Sequence, residues 1–372
     1  MSYYNDHDKY GDFFNNYNPE KQRKAPSRPP RQPSQRPRQN KRSQKRRIKF
    51  TISVITLALV VILISVSVSE CCENESLSNN SANSYNALST ANVETQVDTE
   101  PTLIVKRPVS TDKTFTLGSE IESPYAVLVD CSNDTILARR NADTKIYPAS
   151  MTKVMTLLIA AENIANTELT VGMTSDIIDP LYKEGLTLAG FSPGEKVKLI
   201  DLFYGMVLES GAECSVALAE YVAGSEQEFV KMMNQKCTEL GLENTHFTNS
   251  SGLHHNDHYT TPIEMAMIMR AAIDNDFCRN IMSTEWYTVP ANEYHQELKF
   301  HSGMYEKMYG TEPKVATITG GKTGFTQVSL YCLVSFAVTD DRRDIICVTA
   351  KGERKYAPVY DCIELYKTYT HP

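Results

Sequence analysis

The chain has 372 residues, enough for one large domain or two modest ones, and its net charge of −7 conceals a strong asymmetry. Residues 1–49 carry 14 Lys or Arg against 4 Asp or Glu, whereas the remainder carries 24 against 41. A basic head on an acidic body indicates contact with a membrane or a nucleic acid near the N-terminus. Of the nine cysteines, Cys71 and Cys72 are adjacent and the other seven are scattered without the paired spacing of a zinc site, so buried free thiols are expected for most of them.

An uncharged apolar run follows the basic head. Residues 50–68 read FTISVITLALVVILISVSV, long enough to cross a bilayer as a helix. No Lys or Arg occurs between Phe50 and Val105, so the positive-inside rule places the head in the cytoplasm and the body outside. A cleaved signal peptide is the alternative, because small residues follow the run, but the long head favours an uncleaved anchor. Since the anchor explains the basic charge, nucleic-acid binding is not expected, although the head could also contact anionic lipid.

Composition divides the chain into four parts. Residues 1–49 are rich in Tyr, Asn, Pro, Gln, Arg and Lys and are expected to be a disordered cytoplasmic head. Residues 50–69 form the predicted transmembrane helix, and the Ser/Asn/Thr/Glu-rich residues 70–116 read as an extracytoplasmic stalk. The folded body is expected at 117–372, and no internal repeat is evident.

The body reads as α/β. Residues 125–141 predict two strands joined by a turn at 132–134, and a helix follows Ser150. Helical periodicity then predicts four helices, within residues 197–210, 214–224, 225–241 and 260–273. Near the C-terminus, apolar runs predict two strands at 329–339 and 343–352, and a closing helix follows at 357–369. Strands come first and last with helices between, which predicts a sheet that joins both ends of the chain around a helical insert.

A lysine stands out in the helix that follows Ser150. Pro148 fits a helix start, and the residues after Lys153 are almost wholly apolar, so the helix is predicted to be buried. Burial lowers the pKa of a lysine towards neutrality, and residues three apart share a helix face. The amine of Lys153 can therefore reach the hydroxyl of Ser150 and activate it as a nucleophile. A second Ser-x-x-Lys, at Ser110–Lys113, lies in a polar stretch without periodicity and carries little weight.

Two further short motifs follow Ser150-x-x-Lys153 in the order found in penicillin-interacting serine enzymes. Ser210-Gly211 lies between two predicted helices, and Lys322-Thr323-Gly324 precedes an apolar strand. Each motif alone is weak, since a Ser-Gly is usually a turn and a Lys-Thr-Gly can be a strand start. All three, each in its expected structural setting, are unlikely to coincide by chance.

With these motifs the chain resembles the low-molecular-mass penicillin-binding proteins, the serine D-alanyl-D-alanine carboxypeptidases of peptidase family S11. The likeness covers residues 117–372 and extends beyond the motifs to residues 194–224, 246–272 and 320–338. It implies the penicillin-binding-protein/β-lactamase-like transpeptidase fold, a five-stranded antiparallel sheet flanked by helices with a mostly helical subdomain. The chain ends too soon after Gly324 for the β-rich C-terminal domain that many members carry, so that domain is not expected.

The resemblance also implies an activity and its residues. Ser150 would attack the carbonyl between two D-alanines with Lys153 as general base, and Ser210 would relay a proton to the leaving D-alanine. Lys322, Thr323 and Gly324 would bind the substrate, and backbone N–H groups of Ser150 and Phe325 would form the oxyanion hole. The implied partners are a peptidoglycan stem peptide ending in D-Ala-D-Ala and β-lactam antibiotics, with no cofactor or metal. The implied place is the outer face of a bacterial cell membrane, reached through the N-terminal helix.

One departure from the family pattern stands at position 212. The middle motif normally ends in asparagine, whose side chain helps to hold the substrate amide and the active-site lysine, and here it ends in Ala212. Either a neighbour such as Glu213 or Asn249 compensates, or activity is reduced. A pseudoenzyme or wall-binding protein therefore stays open as an alternative.

Two other enzymes are weaker alternatives. A β-lactamase shares two of the motifs, but residues 239–247 do not match the E-x-x-L-N that carries its deacylating glutamate. A zinc peptidase could use His254, His255 and His258, although the glycine and polar residues around them indicate a loop and no H-E-x-x-H is present.

Overall fold

The structure, a computed structural model, describes residues 105–308 and 316–370. Its centre is a six-stranded sheet, and two small hairpin sheets lie in the insert between the third and the eighth strand. The strands are β1 Val109–Thr116, β2 Tyr125–Asp130, β3 Thr135–Arg140, β4 Thr170–Gly172, β5 Lys196–Lys198, β6 Trp286–Val289, β7 Leu298–His301, β8 Ala316–Thr326, β9 Leu330–Thr339 and β10 Asp344–Gly352.

The strand order in the central sheet is β1-β3-β2-β10-β9-β8. β2 pairs with β10, with Leu128 opposite Cys347, so the first and last parts of the body meet at the centre of the sheet as predicted. The five neighbouring strands β3, β2, β10, β9 and β8 all pair antiparallel, which confirms the expected sheet. The expected strand count is one short, because β1 adds a sixth strand parallel to β3 at the edge.

β1 also corrects the predicted start of the folded body. It occupies the last eight residues of the segment predicted as a stalk. Its side chains are almost all exposed, and Ser, Thr, Asp and Lys dominate it, so no apolar alternation marks it in the sequence. An edge strand of this kind is held by backbone pairing rather than by burial.

All six predicted helices are present in the predicted order, and the described residues contain three further helices that were not predicted, Ser175–Lys183, Asp276–Ser283 and Tyr305–Met308. A 3₁₀ turn at Ala149–Thr152 leads directly into the first helix. The helices are α1 Lys153–Asn163, α2 Ser175–Lys183, α3 Leu199–Val207, α4 Ala212–Ala223, α5 Glu226–Glu239, α6 Pro262–Asp274, α7 Asp276–Ser283, α8 Tyr305–Met308 and α9 Ala357–Tyr369. Gly224 ends α4 at φ +79°, the left-handed conformation expected of a closing glycine.

The central sheet is buried on both faces. On β2 the side chains of Val127 and Val129 join a large core with the insert helices, while Leu128 joins a second core under α9. β10 alternates in the same way, with Ile346 on the insert side and Cys347 under α9. A strand that packs on both sides has no polar face, which explains the nearly continuous apolar runs in the sequence.

The strand β8 was not predicted as a strand of its own. It contains Gly320, Gly321 and Gly324, and its threonines are exposed or half-buried, so it lacks the β-branched apolar run of β9. Backbone pairing with β9 along its whole length stabilises β8 as a strand. It lies at the edge of the sheet beside the 3₁₀ turn, and this edge brings the sequence motifs together.

Several predictions lie outside the described residues. The head at 1–49, the span at 50–69, most of the stalk and Cys71 and Cys72 belong to this group. Within residues 105–308 and 316–370, no helix is both long and apolar enough to span a bilayer. The seven cysteines in this described part are all buried free thiols, as expected for most of them.

Candidate active site

Ser150 lies in a tight turn between a bridge strand and α1. Ala149, the residue before it, has φ +47°, a conformation that costs a non-glycine residue free energy and that the surroundings must impose. Two glycine backbones press on this turn. A Cβ on Gly252 would lie 2.0 Å from the Ala149 carbonyl oxygen, and one on Gly324 would lie 3.1 Å from the Ser150 nitrogen. The turn therefore depends on glycine at both positions.

Lys153 begins α1 and is buried, with 2% of its surface exposed. Its Nζ lies 3.1 Å from Ser150 Oγ and donates a hydrogen bond of 2.6 Å to the Ser251 carbonyl oxygen. Burial lowers the pKa of Lys153 to about 8. The predicted serine–lysine pair is therefore present, and its amine can be neutral in a useful fraction near physiological pH.

Ser210 and Lys322 form a second pair across the cleft. Lys322 Nζ donates hydrogen bonds to Ser210 Oγ at 3.1 Å and to the Thr323 carbonyl oxygen at 3.0 Å. Ser210 lies in the turn between α3 and α4 and has φ +64°. Lys322 is buried, and burial together with the charges of Lys153 and Lys307 lowers its pKa well below the usual range.

The cleft between these pairs has two parts that share Ser150 and Ser210. The part beside α1 has a volume of about 380 Å³, and Lys153, Ala212 and Ser251 line it. Six of the seven residues predicted for the site line the cleft, and Lys322 reaches it through its bond to Ser210. The lining residues from the prediction are Ser150, Lys153, Ser210, Thr323, Gly324 and Phe325.

Sequence reasoning missed two lysines in the other part of the cleft. Lys307, on the short helix α8, and Lys355, just before α9, both line it near Thr323. Gly303 lies between Lys307 and Thr323. A Cβ on Gly303 would lie 3.4 Å from Thr323 Oγ1 and 3.5 Å from Lys307 Nζ, so the absence of a side chain there leaves room for both groups. Neither lysine belongs to a motif or a periodic run, so nothing in the sequence separates them from solvated surface lysines.

The two residues considered as replacements for the missing asparagine are both bound to the backbone. Asn249 Oδ1 accepts hydrogen bonds from the amides of residues 251, 252 and 253, and so shapes the loop that presents the Ser251 carbonyl to Lys153. Glu213 Oε1 accepts from the amides of Ala189 and Gly190. Neither side chain substitutes directly for an asparagine amide at position 212.

The buried histidine of the zinc alternative, His258, has other partners. His258 is buried, its Nδ1 accepts from the Thr248 amide at 3.1 Å, and its Nε2 lies 2.8 Å from Thr152 Oγ1. Burial lowers its pKa to about 3, so it stays neutral. Among the described residues no group of three or more His, Cys, Asp or Glu is placed to hold a metal ion. His258 is a core residue that supports the 3₁₀ turn.

The fold and the site together define the penicillin-interacting serine class of proteins: Ser150 and the buried Lys153 at a helix start face Ser210, in the turn before α4, and Lys322, on the edge strand β8. The chain belongs to the D-alanyl-D-alanine carboxypeptidase family, peptidase family S11, whose sequence profile matches residues 110–353.

Several bacterial proteins are similar to this chain. The chain is 30% identical over 238 residues to D-alanyl-D-alanine carboxypeptidase DacF of Bacillus subtilis, covering 61% of this chain and 57% of the relative. It is 31% identical over 252 residues to D-alanyl-D-alanine carboxypeptidase DacC of Escherichia coli, covering 64% and 61%. The matched part is therefore less than two thirds of these relatives' own length.

Solved structures resemble the same part of the chain. The Streptomyces K15 DD-transpeptidase superposes with a TM-score of 0.60 at 25% identity, covering 66% of this chain and 97% of that one. Penicillin-binding protein 5 from Haemophilus influenzae gives 0.61 at 25% identity, covering 68% and 71%. These similarities support the penicillin-binding-protein fold that the motifs implied.

The close approach of Gly252 to the nucleophile turn can be tested with Gly252→Ala. Gly252 and Gly241 both have positive φ, but the described structure places no atom within 4 Å of a Cβ on Gly241. Gly241→Ala therefore carries the backbone strain alone, whereas Gly252→Ala also displaces the turn of Ser150. We expect acylation of Ser150 by a thioester, followed by mass spectrometry, to slow at least about 100-fold in Gly252→Ala. Equal rates in the two folded variants would contradict this geometry.

Proposed function

We propose that this protein is a membrane-anchored serine D-alanyl-D-alanine carboxypeptidase that removes the terminal D-alanine from peptidoglycan stem peptides. The observation that carries the proposal is the buried amine of Lys153 at 3.1 Å from Ser150 Oγ, in one cleft with the Ser210–Lys322 pair. The names of the relatives support the substrate class.

In the proposed first step, neutral Lys153 removes the proton from Ser150 as Oγ attacks the carbonyl carbon between the two D-alanines. The negative charge that develops on the carbonyl oxygen is met by the backbone N–H groups of Ser150 and Phe325. The close approach of Gly324 to the Ser150 nitrogen supports this pairing of the two peptide groups. The C–N bond then breaks, and the leaving amine takes a proton through Ser210.

The lysines in the cleft suit a substrate with a free terminal carboxylate. Thr323 lines the same part of the cleft as Lys307 and Lys355, and it directly follows Lys322 in the chain. Its hydroxyl can donate a hydrogen bond to a carboxylate oxygen. A bound carboxylate would stabilise the ammonium form of Lys322 against the effect of burial, and the attraction is strongest where water is excluded, as around this lysine. In the second step water hydrolyses the ester on Ser150 and restores the enzyme. A β-lactam would acylate Ser150 by the same route.

The central test is release of D-alanine from an acyl-D-Ala-D-Ala peptide by the full-length protein and its Ser150→Ala variant. We expect the variant to lose at least about 10³-fold in rate, because no other group in the proposal forms the covalent intermediate. A folded wild-type protein that releases no D-alanine and forms no penicillin adduct would support a non-catalytic wall-binding protein, which Ala212 alone favours. Steady turnover of a β-lactam would instead favour a β-lactamase.

The lowered pKa of Lys153 predicts the pH dependence. Below about pH 8 the amine is protonated and cannot act as the base, so kcat/KM should rise with pH through that value. Stopped-flow measurement of Ser150 acylation by a fluorescent penicillin between pH 6 and pH 10 would follow this limb. A rate that is flat across the range, or that falls from pH 6, would contradict Lys153 as the general base.

The proposed anchor rests on the uncharged run at residues 50–68 and on the charge asymmetry around it. We expect the full-length protein, made in a bacterial host, to stay in the membrane pellet after an alkaline carbonate wash, and a variant without residues 50–69 to be soluble. Protease added to intact spheroplasts should remove the catalytic domain. Release of the full-length protein into the medium would indicate a cleaved signal peptide instead.

A further inference from the structure

A second buried charged group lies beside the catalytic pair. Glu213 follows Ala212 in the first turn of α4, and none of its surface is exposed. A buried carboxylate is costly unless hydrogen bonds or an opposite charge compensate for the lost water. Burial raises the pKa of Glu213, while hydrogen bonds from the backbone amides around it act in the opposite direction. The proposed catalytic steps make no use of this group.

One oxygen of Glu213 ties a wall of the cleft to α4. Oε1 accepts hydrogen bonds from the Ala189 amide at 2.6 Å and from the Gly190 amide at 3.1 Å. In the same place the Ala212 amide donates to the Thr187 carbonyl oxygen at 2.9 Å. Thr187 lines both parts of the cleft. The start of α4 therefore holds residues 187–190, and through them this side of the cleft.

The other oxygen lies against the motif backbone. In the described part of the chain, Oε2 is buried and has no hydrogen-bond partner. A Cβ on Gly211 would lie 3.0 Å from Oε2 and 2.8 Å from Ala189 Cβ. Gly211 is the residue between Ser210 and Ala212, so the carboxylate and the tethered segment both pack directly on the second motif. A side chain at position 211 would push them away.

Glu213 lies close to Lys153, because α4 packs on α1 and Ala212, the residue before Glu213, lines the same part of the cleft as Lys153. Among the charges that raise the pKa of Lys153 against the effect of burial, that of Glu213 is the largest. Glu213 and Cys214 face the lysine from α4. The other titratable groups that interact with it lie on neighbouring elements: Glu226 on α5, His258 in the loop before α6 and Lys322 on β8.

We propose that Glu213 is a positioning residue with two separable effects: it fixes residues 187–190 as the cleft wall, and its buried carboxylate, on the helix that packs against α1, stabilises the ammonium form of Lys153. The second effect bears on catalysis only if the proposed function is right, whereas the first is a property of the fold. A chain with Ala212 has no side-chain amide at that position to hold the lysine. Glu213, one residue further on, acts on the same lysine by charge instead of by contact.

Two substitutions separate these effects. Glu213→Gln keeps the length and an acceptor oxygen for the two amides but removes the charge. Glu213→Asp keeps the charge but is one methylene shorter, so it cannot hold both amides without movement of the backbone. Glu220→Gln is the matched control, because Glu220 lies on the same helix and is exposed.

The two readouts need no enzymatic activity. Hydrogen–deuterium exchange of the Ala189 and Gly190 amides in the full-length protein measures the tether. Competitive labelling of Lys153 with acetic anhydride as a function of pH, followed by mass spectrometry, measures its titration. Acylation by a fluorescent penicillin across the same pH range then connects both to the rate.

We expect Glu213→Gln to keep the amides protected and to move the titration of Lys153 to lower pH by on the order of half a unit to one unit. The sign follows because loss of a nearby negative charge favours the neutral amine. We expect Glu213→Asp to raise the exchange rate of the Ala189 and Gly190 amides at least about 10-fold. The penicillin concentration that half-saturates the acylation rate should rise several-fold, while Lys153 should titrate near the wild-type pH.

The proposal is overturned if folded Glu213→Gln titrates Lys153 like the wild type and folded Glu213→Asp exchanges its amides like the wild type. It is also overturned if both variants only lower the melting temperature, with these readouts matching Glu220→Gln. If Glu213→Asp does not fold, the Gln variant still decides the charge effect. Failure of the wild type to react with penicillin would count against the proposed function, while exchange and labelling would still decide the role of Glu213.

Discussion

The site depends on one unfavourable placement, a lysine amine with almost no access to water. Lys153 is 2% exposed, and its described hydrogen-bond partners are the Ser150 hydroxyl and the Ser251 carbonyl. A desolvated ammonium loses part of its preference for the charged form, which turns an ordinary lysine into a base near neutral pH. The apolar helix α1 and the large core around it exclude water from that lysine.

The surrounding structure holds this arrangement from three directions. The loop shaped by Asn249 presents the Ser251 carbonyl, and the backbones of Gly252 and Gly324 press on the turn of Ser150. The edge strand β8 carries Lys322 to Ser210 from the other side. Because these contacts are mostly with backbone atoms, many side chains around them can vary while the geometry stays.

At position 212, where the family motif has asparagine and this chain has alanine, neighbouring groups still organise the site. The side chain is lost, but the Ala212 amide still binds Thr187, and the next residue places a buried carboxylate at the same helix start. Comparison with the family motif alone indicates only that the asparagine side chain is missing. The structure shows a helix start that still organises the cleft wall and places a buried carboxyl group on the helix that packs against α1, which carries Lys153.

The amino-acid sequence by itself determined most of the fold and the centre of the site. Alternating and continuous apolar runs predicted β2, β3, β9, β10 and the main helices, since burial on one or both faces dictates those patterns. The spacing of Ser150 and Lys153 predicted their contact, because helix geometry alone brings such residues together.

Only the tertiary structure decided the rest. β1 and β8 exist because neighbouring strands offer them backbone partners, and their own side chains carry no apolar pattern. Lys307, Lys355 and the Ser251 carbonyl reach the cleft from distant parts of the chain, and Glu213 is buried against residues more than 20 positions earlier in the sequence. Periodicity records only whether a residue faces the core or the solvent. Which groups meet inside a cleft depends on how the elements pack, and that information is not local.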